Sequence, residues 1–280
     1  MTKEIKSSLE QIYGYMPKRP EHLDVKVSLY DSSFCAGRAV YREYVFTSLV
    51  CGKEYSFTAR SAILSDRADS PLIIHIDHYG SLPNRYTPCE EILDMGCSVF
   101  SFHIGRDEMV GCRKKRGLFE IGGRRGRRRG VGLLVLYAWL AMRITDHAIT
   151  LPEIDTENIY VLGHGELAEA ALLCCAHDTR IRGAMASGLS GISTPDAMLY
   201  GQDHMGGEDE CQRIERLREH IQPRELYLSY AEGDPTLGDV DTLSAQPYVT
   251  MHQREGGSYL SRGDWRFFCD CVGKRSCQVT

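Results

Sequence analysis

The chain has 280 residues, of which 42% are hydrophobic and 25% charged. Those proportions exclude a disordered or fibrous protein and leave room for one large α/β domain. The formal net charge of −5 is unevenly placed: nine Lys/Arg between Arg113 and Arg129 face Glu120 alone, a local +8 that leaves −13 for the remainder.

In chain order, residues 3–13 read as a short amphipathic helix, stopped by Pro17 and Pro20. Val25–Tyr30 alternates like a strand. Ala39–Val50 and Tyr55–Leu64 are rich in β-branched and aromatic residues and flank Cys51-Gly52-Lys53-Glu54, which reads as a hairpin turn. The texture then changes, because Pro71–Asp77 is a continuous apolar run suited to a strand buried on both faces of a parallel sheet. Helix and strand alternate from there. Pro88–Met95 predicts a helix closed by Gly96, Ser98–His103 a buried strand, and Val131–His147 a long helix whose apolar run is too short to cross a bilayer. Ile159–Leu162, Gly183–Ser187, Glu225–Tyr230 and Tyr248–Gln253 predict strands, with helices over Glu166–His177 and near 209–220 and 262–272. This alternation implies right-handed crossovers and a mostly parallel sheet covered on both faces. No repeat or linker divides the chain, so it reads as one domain: an N-terminal helix and β extension over 1–66, and a core over 67–280.

The segment Ile159-Tyr160-Val161-Leu162-Gly163-His164-Gly165-Glu166-Leu167 turns sharply from strand to helix. It resembles the nucleophile elbow of α/β-hydrolases, in which Gly-x-Ser-x-Gly lifts a serine above the sheet beside the first N–H groups of a helix. From Pro71 onward, further motifs follow in order: Tyr137-Ala138-Trp139-Leu140-Ala141-Met142-Arg143, Asp155 before the elbow strand, Ala186-Ser187-Gly188, His252 to Ser258, and Gly263-Asp264-Trp265. Together they resemble carbohydrate esterases of the acetyl xylan esterase and glucuronoyl esterase type. The resemblance implies an α/β-hydrolase fold and a carbohydrate-ester or other small-molecule ligand, with no cofactor.

The departures from that pattern fall on the chemistry. Where the resemblance implies a nucleophilic serine there is Gly165, and where it implies a histidine there is Ser258. The third member survives as Asp234, with Glu232 as second choice. Glycine supplies no nucleophile, and a serine hydroxyl cannot replace an imidazole as a base near neutral pH. Backbone N–H groups at Glu166 and in the His78-Tyr79-Gly80 turn are the candidate oxyanion donors. The arginine and lysine expected after the serine are Glu166 and Glu169: two acids in a helix's first turn suit the helix dipole, and a ligand bound there is expected to be neutral or cationic rather than a carboxylate. The leading expectation is therefore a binding protein with a degenerate triad. The alternative is a working esterase with a rebuilt site that recruits Ser187 or Ser190 with His164, His204 or His252.

Three other features complete the inventory. His75, His78 and His103, with Asp77 or Asp107, lie near strand ends but lack metal-site spacing, and no metal is expected. Arg113–Arg116 and the cluster Arg124, Arg125, Arg127, Arg128 and Arg129 read either as a self-paired loop or as a site for an anionic partner. Eleven scattered cysteines read as reduced, mostly buried thiols, and with a polar N-terminus they point to the cytoplasm.

Overall fold

The computed structural model describes residues 9–10, 12–112, 115–121, 131–189, 210–232 and 246–276. The arginines at 124, 125 and 127–129, together with Ser190, His204 and Asp234, lie outside the described residues. One sheet of nine strands organises the rest, in the order β1 (His22–Asp31), β2 (Ala39–Val50), β3 (Lys53–Leu64), β5 (Ser98–Phe102), β4 (Ser70–Ile76), β8 (Ile154–His164), β9 (Gly183–Ser187), β10 (Glu225–Ala231) and β11 (Val249–Arg254). A separate two-stranded ribbon pairs β6 (Gly111–Cys112) with β7 (Lys115–Arg116).

From β1 through β3 to β5 the neighbours are antiparallel, and from β5 to β11 they are parallel. This is the antiparallel extension on a parallel core that the texture change at residue 71 predicts. The hairpin between β2 and β3 is tighter than expected. Val50 pairs with Lys53, leaving Cys51 and Gly52 as a two-residue turn, both at positive φ (51° and 68°), which matches the twist of the flanking strands.

Alternate residues of the central strands enter different cores. Leu72, Ile74, Ile159, Val161, Ala184, Leu226 and Leu228 face α3 (Leu133–Ala148), α4 (Glu166–His177) and α5 (Glu210–Ile221). Ile73, Tyr160, Leu162, Met185 and Tyr227 face α1 (Cys89–Asp94) and α6 (Arg262–Ser276). With both faces covered, β4 is apolar except for Ser70 and His75, whose Oγ and Nδ1 find hydrogen-bond partners. Two short pieces, α2 (Arg106–Val110) and a 3₁₀ turn at Leu118–Glu120, are not anticipated by periodicity because neither completes two helical turns.

Helix α3 is buried on all sides from Leu133 to Thr145, as an apolar all-round helix must be. The N-terminal segment packs beneath α3 and α4 through Leu9, Ile12, Tyr13 and Met16. Cys174 and Cys175 are buried thiols on α4, and burial raises both thiol pKa values, that of Cys175 to about 12. Among the described residues, no helix is long and apolar enough to cross a membrane.

Candidate functional site

The site grows from the carboxyl end of β8. Strand pairing sets Gly163 beside Ile76 of β4 and Ala186 of β9, and sets His164 beside Ser187. Gly163 is required by space: a Cβ there would lie 2.0 Å from the carbonyl oxygen of Leu167 and 2.8 Å from the nitrogen of Ala168. Because α4 folds back directly over the strand end, only glycine fits beneath it.

Gly165 is favoured by conformation instead, at φ 59° and ψ −131°. Its N–H donates to the Ser187 carbonyl (2.9 Å), and its own carbonyl accepts from Ala168 N (3.0 Å) to start α4. A Cβ built on Gly165 meets none of the described residues within 4 Å. The backbone therefore makes a sharp strand-to-helix turn at Gly165, with no described residue near the point where a side chain would stand.

His164 lies beside the tip, buried. Its Nδ1–H donates to the Ser187 carbonyl (3.1 Å), while its own carbonyl accepts from His78 Nε2–H (3.0 Å). Burial first, then the neighbouring His78, push the His164 pKa down to about 4. The ring is neutral near pH 7, with its proton fixed on Nδ1. As pH falls, the unfolded chain takes up this proton before the folded one does. The stability present above pH 6.5 is therefore lost progressively between 6.5 and about 4, on the order of 3 kcal/mol for this ring. Burial lowers His75 and His147 in the same direction. We expect His164→Gln to flatten the fall in urea midpoint across that window, and an unchanged slope would show that another group drives it.

The turn after β4 supplies an aromatic wall. His78, Tyr79, Tyr86 and His164 stand with ring centroids 5.4–6.1 Å apart, and the Arg85 guanidinium lies over Tyr79 (5.3 Å) and Tyr86 (4.7 Å). Asp77, wholly buried, holds this turn. It accepts from Tyr79 N (3.1 Å), Asn84 Nδ2 (2.7 Å), Thr87 Oγ1 (2.8 Å) and Ser101 Oγ (3.0 Å). Burial alone would raise its carboxyl, but His75 and these donors outweigh it and hold the pKa below the ordinary value. The Tyr79 N–H is thus committed to Asp77 rather than to an oxyanion. Glu166 opens α4, where first-turn N–H groups lack helical acceptors.

The histidines weighed from sequence as a metal group have other partners. His75 Nδ1–H donates to Thr87 Oγ1 (2.9 Å), and its ring meets the Trp265 ring edge-on at 5.3 Å. His103 Nδ1 lies 3.2 Å from the Asp77 carbonyl and 3.3 Å from the Tyr137 hydroxyl. Among the described residues, no three His, Cys, Asp or Glu side chains are grouped to hold a metal.

Ser258 does come to the elbow. A Cβ on Gly188, the residue after Ser187, would lie 2.6 Å from Ser258 Oγ and 3.0 Å from His164 Cε1. Ser187 is fully buried, and its Oγ has no hydrogen-bond partner among the described residues. His252 stacks on Phe267 (4.8 Å, 18°), away from the elbow. Glu232 stands exposed at the end of β10, its N–H bonded to the Arg254 carbonyl (2.8 Å). Glu169 is buried and accepts from the Tyr13 hydroxyl (2.6 Å).

Asp264, absent from the sequence-based site, organises the loop that carries Ser258. It closes a capping box at the start of α6 with Ser261, whose N–H and hydroxyl each lie 2.6 Å from Oδ2, while Asp264 N donates back to Ser261 Oγ (3.1 Å). It also accepts from Ser229 Oγ and from Arg254 Nε, 3.1 Å from both carboxylate oxygens. Arg254 in turn donates to the carbonyls of Gly257 (2.7 Å) and Tyr259. The signal for this hub was the Ser-x-x-Asp spacing at 261–264.

With this geometry, the fold is that of the α/β-hydrolase carbohydrate esterases. Solved structures similar to the chain include a glucuronoyl esterase from Solibacter usitatus, with a TM-score of 0.78 at 17% identity over 96% of this chain and 90% of that one. A glucuronoyl esterase from Teredinibacter turnerae gives 0.73 at 15% identity, covering 96% and 82%. A methylesterase, BT1017, gives 0.60 at 15% identity, covering 97% and 62%. By sequence, no protein-family model and no curated protein matches the chain.

Proposed function

We propose that this protein is a non-catalytic relative of the carbohydrate esterases, keeping the elbow frame as a binding site for a neutral or cationic small molecule, with a carbohydrate ester as the first candidate. The observation that carries the reading is Gly165: the φ and ψ of an elbow tip, open space in front of it, and no atom to attack a carbonyl. Gly165, Ser258 and Asp234 are the vestigial triad. His164, whose pKa burial and neighbouring His78 push down to about 4, is a weak base, and Ser187 is sealed in the sheet. Neither supports a rebuilt nucleophile and base. The aromatic wall of Tyr79 and Tyr86, with Arg85 across it, supports stacking against a flat or ring-shaped ligand. The buried thiols support a reducing, cytoplasmic setting.

The test is hydrolysis of a short-chain activated ester by the wild type beside the Gly165→Ser, Ser258→His double variant. We expect the wild type to match buffer and the variant to gain at least ~100-fold, the scale of a restored nucleophile and base. Wild-type turnover at an enzymatic rate, or stoichiometric labelling by a serine-directed phosphonate, would overturn the reading.

A further inference from the structure

The elbow uses only one end of the sheet. At the other end, where β8, β9 and β10 begin, the surface opens into a second cleft of about 750 Å³. That volume falls within the range of small-ligand sites, roughly 300–1,000 Å³, and exceeds what a lone ion fills. We infer that this cleft binds a sugar bearing one oxyanion group, a carboxylate or a phosphate, gripped by Arg182 and Arg224.

The arginines lining the cleft differ in what already holds them. Arg180 is spent: Nε and Nη2 bond both oxygens of Asp178 (2.9 and 2.6 Å), and Nη1 bonds Asp146 (2.7 Å). Among the described residues the Arg182 guanidinium makes one hydrogen bond, from Nε to Glu225 Oε1 (3.2 Å), and Glu225 also accepts from the hydroxyls of Tyr160 (3.3 Å) and Tyr227. Its negative charge is therefore shared among several donors. Arg224 is the telling one. Its Nη1 donates to the carbonyls of Asp178 (2.8 Å) and Ile181 (3.1 Å), and among the described residues no carboxylate lies within ion-pair distance of it. Carbonyl oxygens orient a guanidinium without neutralising it. A half-buried, positioned and uncompensated cation on the cleft wall is a receptor for an oxyanion, and the planar fork of arginine matches carboxylate and phosphate geometry.

The rest of the lining suits hydroxyl groups. Thr156 and Thr179 present exposed hydroxyls, and Glu157 an exposed carboxylate that accepts from sugar O–H groups and disfavours a second negative charge on the ligand. Ile149 and Pro223, both exposed, give the sugar ring an apolar surface. The cleft lies across the sheet from the elbow, so this inference stands apart from the proposal made there.

The experiment is calorimetric titration of the full chain at low salt with glucuronate and with glucose 6-phosphate, beside neutral glucose and inorganic phosphate. We expect at least one acidic sugar to bind, more tightly than either control, and the tighter of the two identifies the oxyanion. Arg182→Gln should weaken that binding about tenfold or more, the value of a charged hydrogen bond, and Arg224→Lys, which keeps the charge but loses the fork, should do likewise. If Arg224→Lys melts far below the wild type, Arg182→Gln alone decides. Gly165→Ser should bind as the wild type does, which separates this cleft from the elbow. No heat with either acidic sugar at millimolar concentration, glucose binding as tightly, or undiminished binding by Arg182→Gln would each overturn the inference.

Discussion

Replacing Gly163 by alanine is expected to destabilise the protein by about 4 kcal/mol or more, at the severe end of single substitutions. The added methyl would sit 2.0 Å from the Leu167 carbonyl oxygen and 2.4 Å from its carbon. Both are main-chain atoms inside α4, so no side chain can rotate away, and relief requires moving a helix buried against β4, β8 and β9. Moving it would open the packing of Leu167, Ala168, Ala171 and Leu172, all essentially inaccessible to solvent. The control lies two residues on. Gly165→Ala places its methyl in open space and bears only the cost of a positive φ, about 1 kcal/mol. Thermal denaturation of the two variants separates the causes: at roughly 2–4 °C per kcal/mol for a chain of this size, Gly163→Ala should melt about 10 °C or more below the wild type. If the two variants melt together, the helix does not press on the strand end as described.

Asp264→Ala is expected to cost about 3–5 kcal/mol, the usual result of stripping one partner from a buried ion pair. Asp264 is inaccessible to solvent and Arg254 nearly so, with 10% of its side chain exposed. The loss spreads further than one pair. Ser261 would lose its capping partner, weakening the start of α6, and Arg254 would lose the carboxylate that aims it at the carbonyls of Gly257 and Tyr259. The segment 255–259 would then lose its ordered tether ahead of buried Leu260, so limited proteolysis should cut there before the core unfolds. Urea denaturation gives the energy and the cleavage pattern gives the place. A loss below about 1 kcal/mol with the segment still protected would mean that Arg254 finds another partner.

These two positions also show where sequence reasoning reaches and where it stops. The elbow is local, so a strand pattern, two glycines and a run of helix formers within fifteen residues suffice to place it. The buried parallel strands are legible for the same reason, because burial on both faces leaves a continuous apolar run. Asp264 is half legible: the capping box is a spacing of three residues, but its bonds to Ser229 and Arg254 depend on how β10 and β11 lie beside α6. The contact between Tyr13 and Glu169 joins residues 156 apart, and no local pattern announces it. It gives Glu169 a partner in the N-terminal segment, whereas its sequence context suggests only helix-dipole stabilisation or a repelled ligand. Tyr86 was missed because an aromatic residue in a turn carries no period, and it acquires meaning only when β4 and β8 bring their ends together.

The conformation of Gly165 bears on how such a chain came to be and whether it can return. A serine at a φ near 60° is held under backbone strain, which an active enzyme tolerates because the strain presents its nucleophile. Glycine removes that strain at once. Losing the nucleophile at this position therefore leaves the fold more stable, so drift in this direction meets no resistance from folding. Recovery runs uphill twice, once against the restored strain and again because a serine alone, without an imidazole at 258, yields almost no rate for selection to act on. On the non-catalytic reading proposed above, this asymmetry makes the elbow a ratchet, and Gly163, fixed by the helix above it, holds the frame whichever way residue 165 drifts.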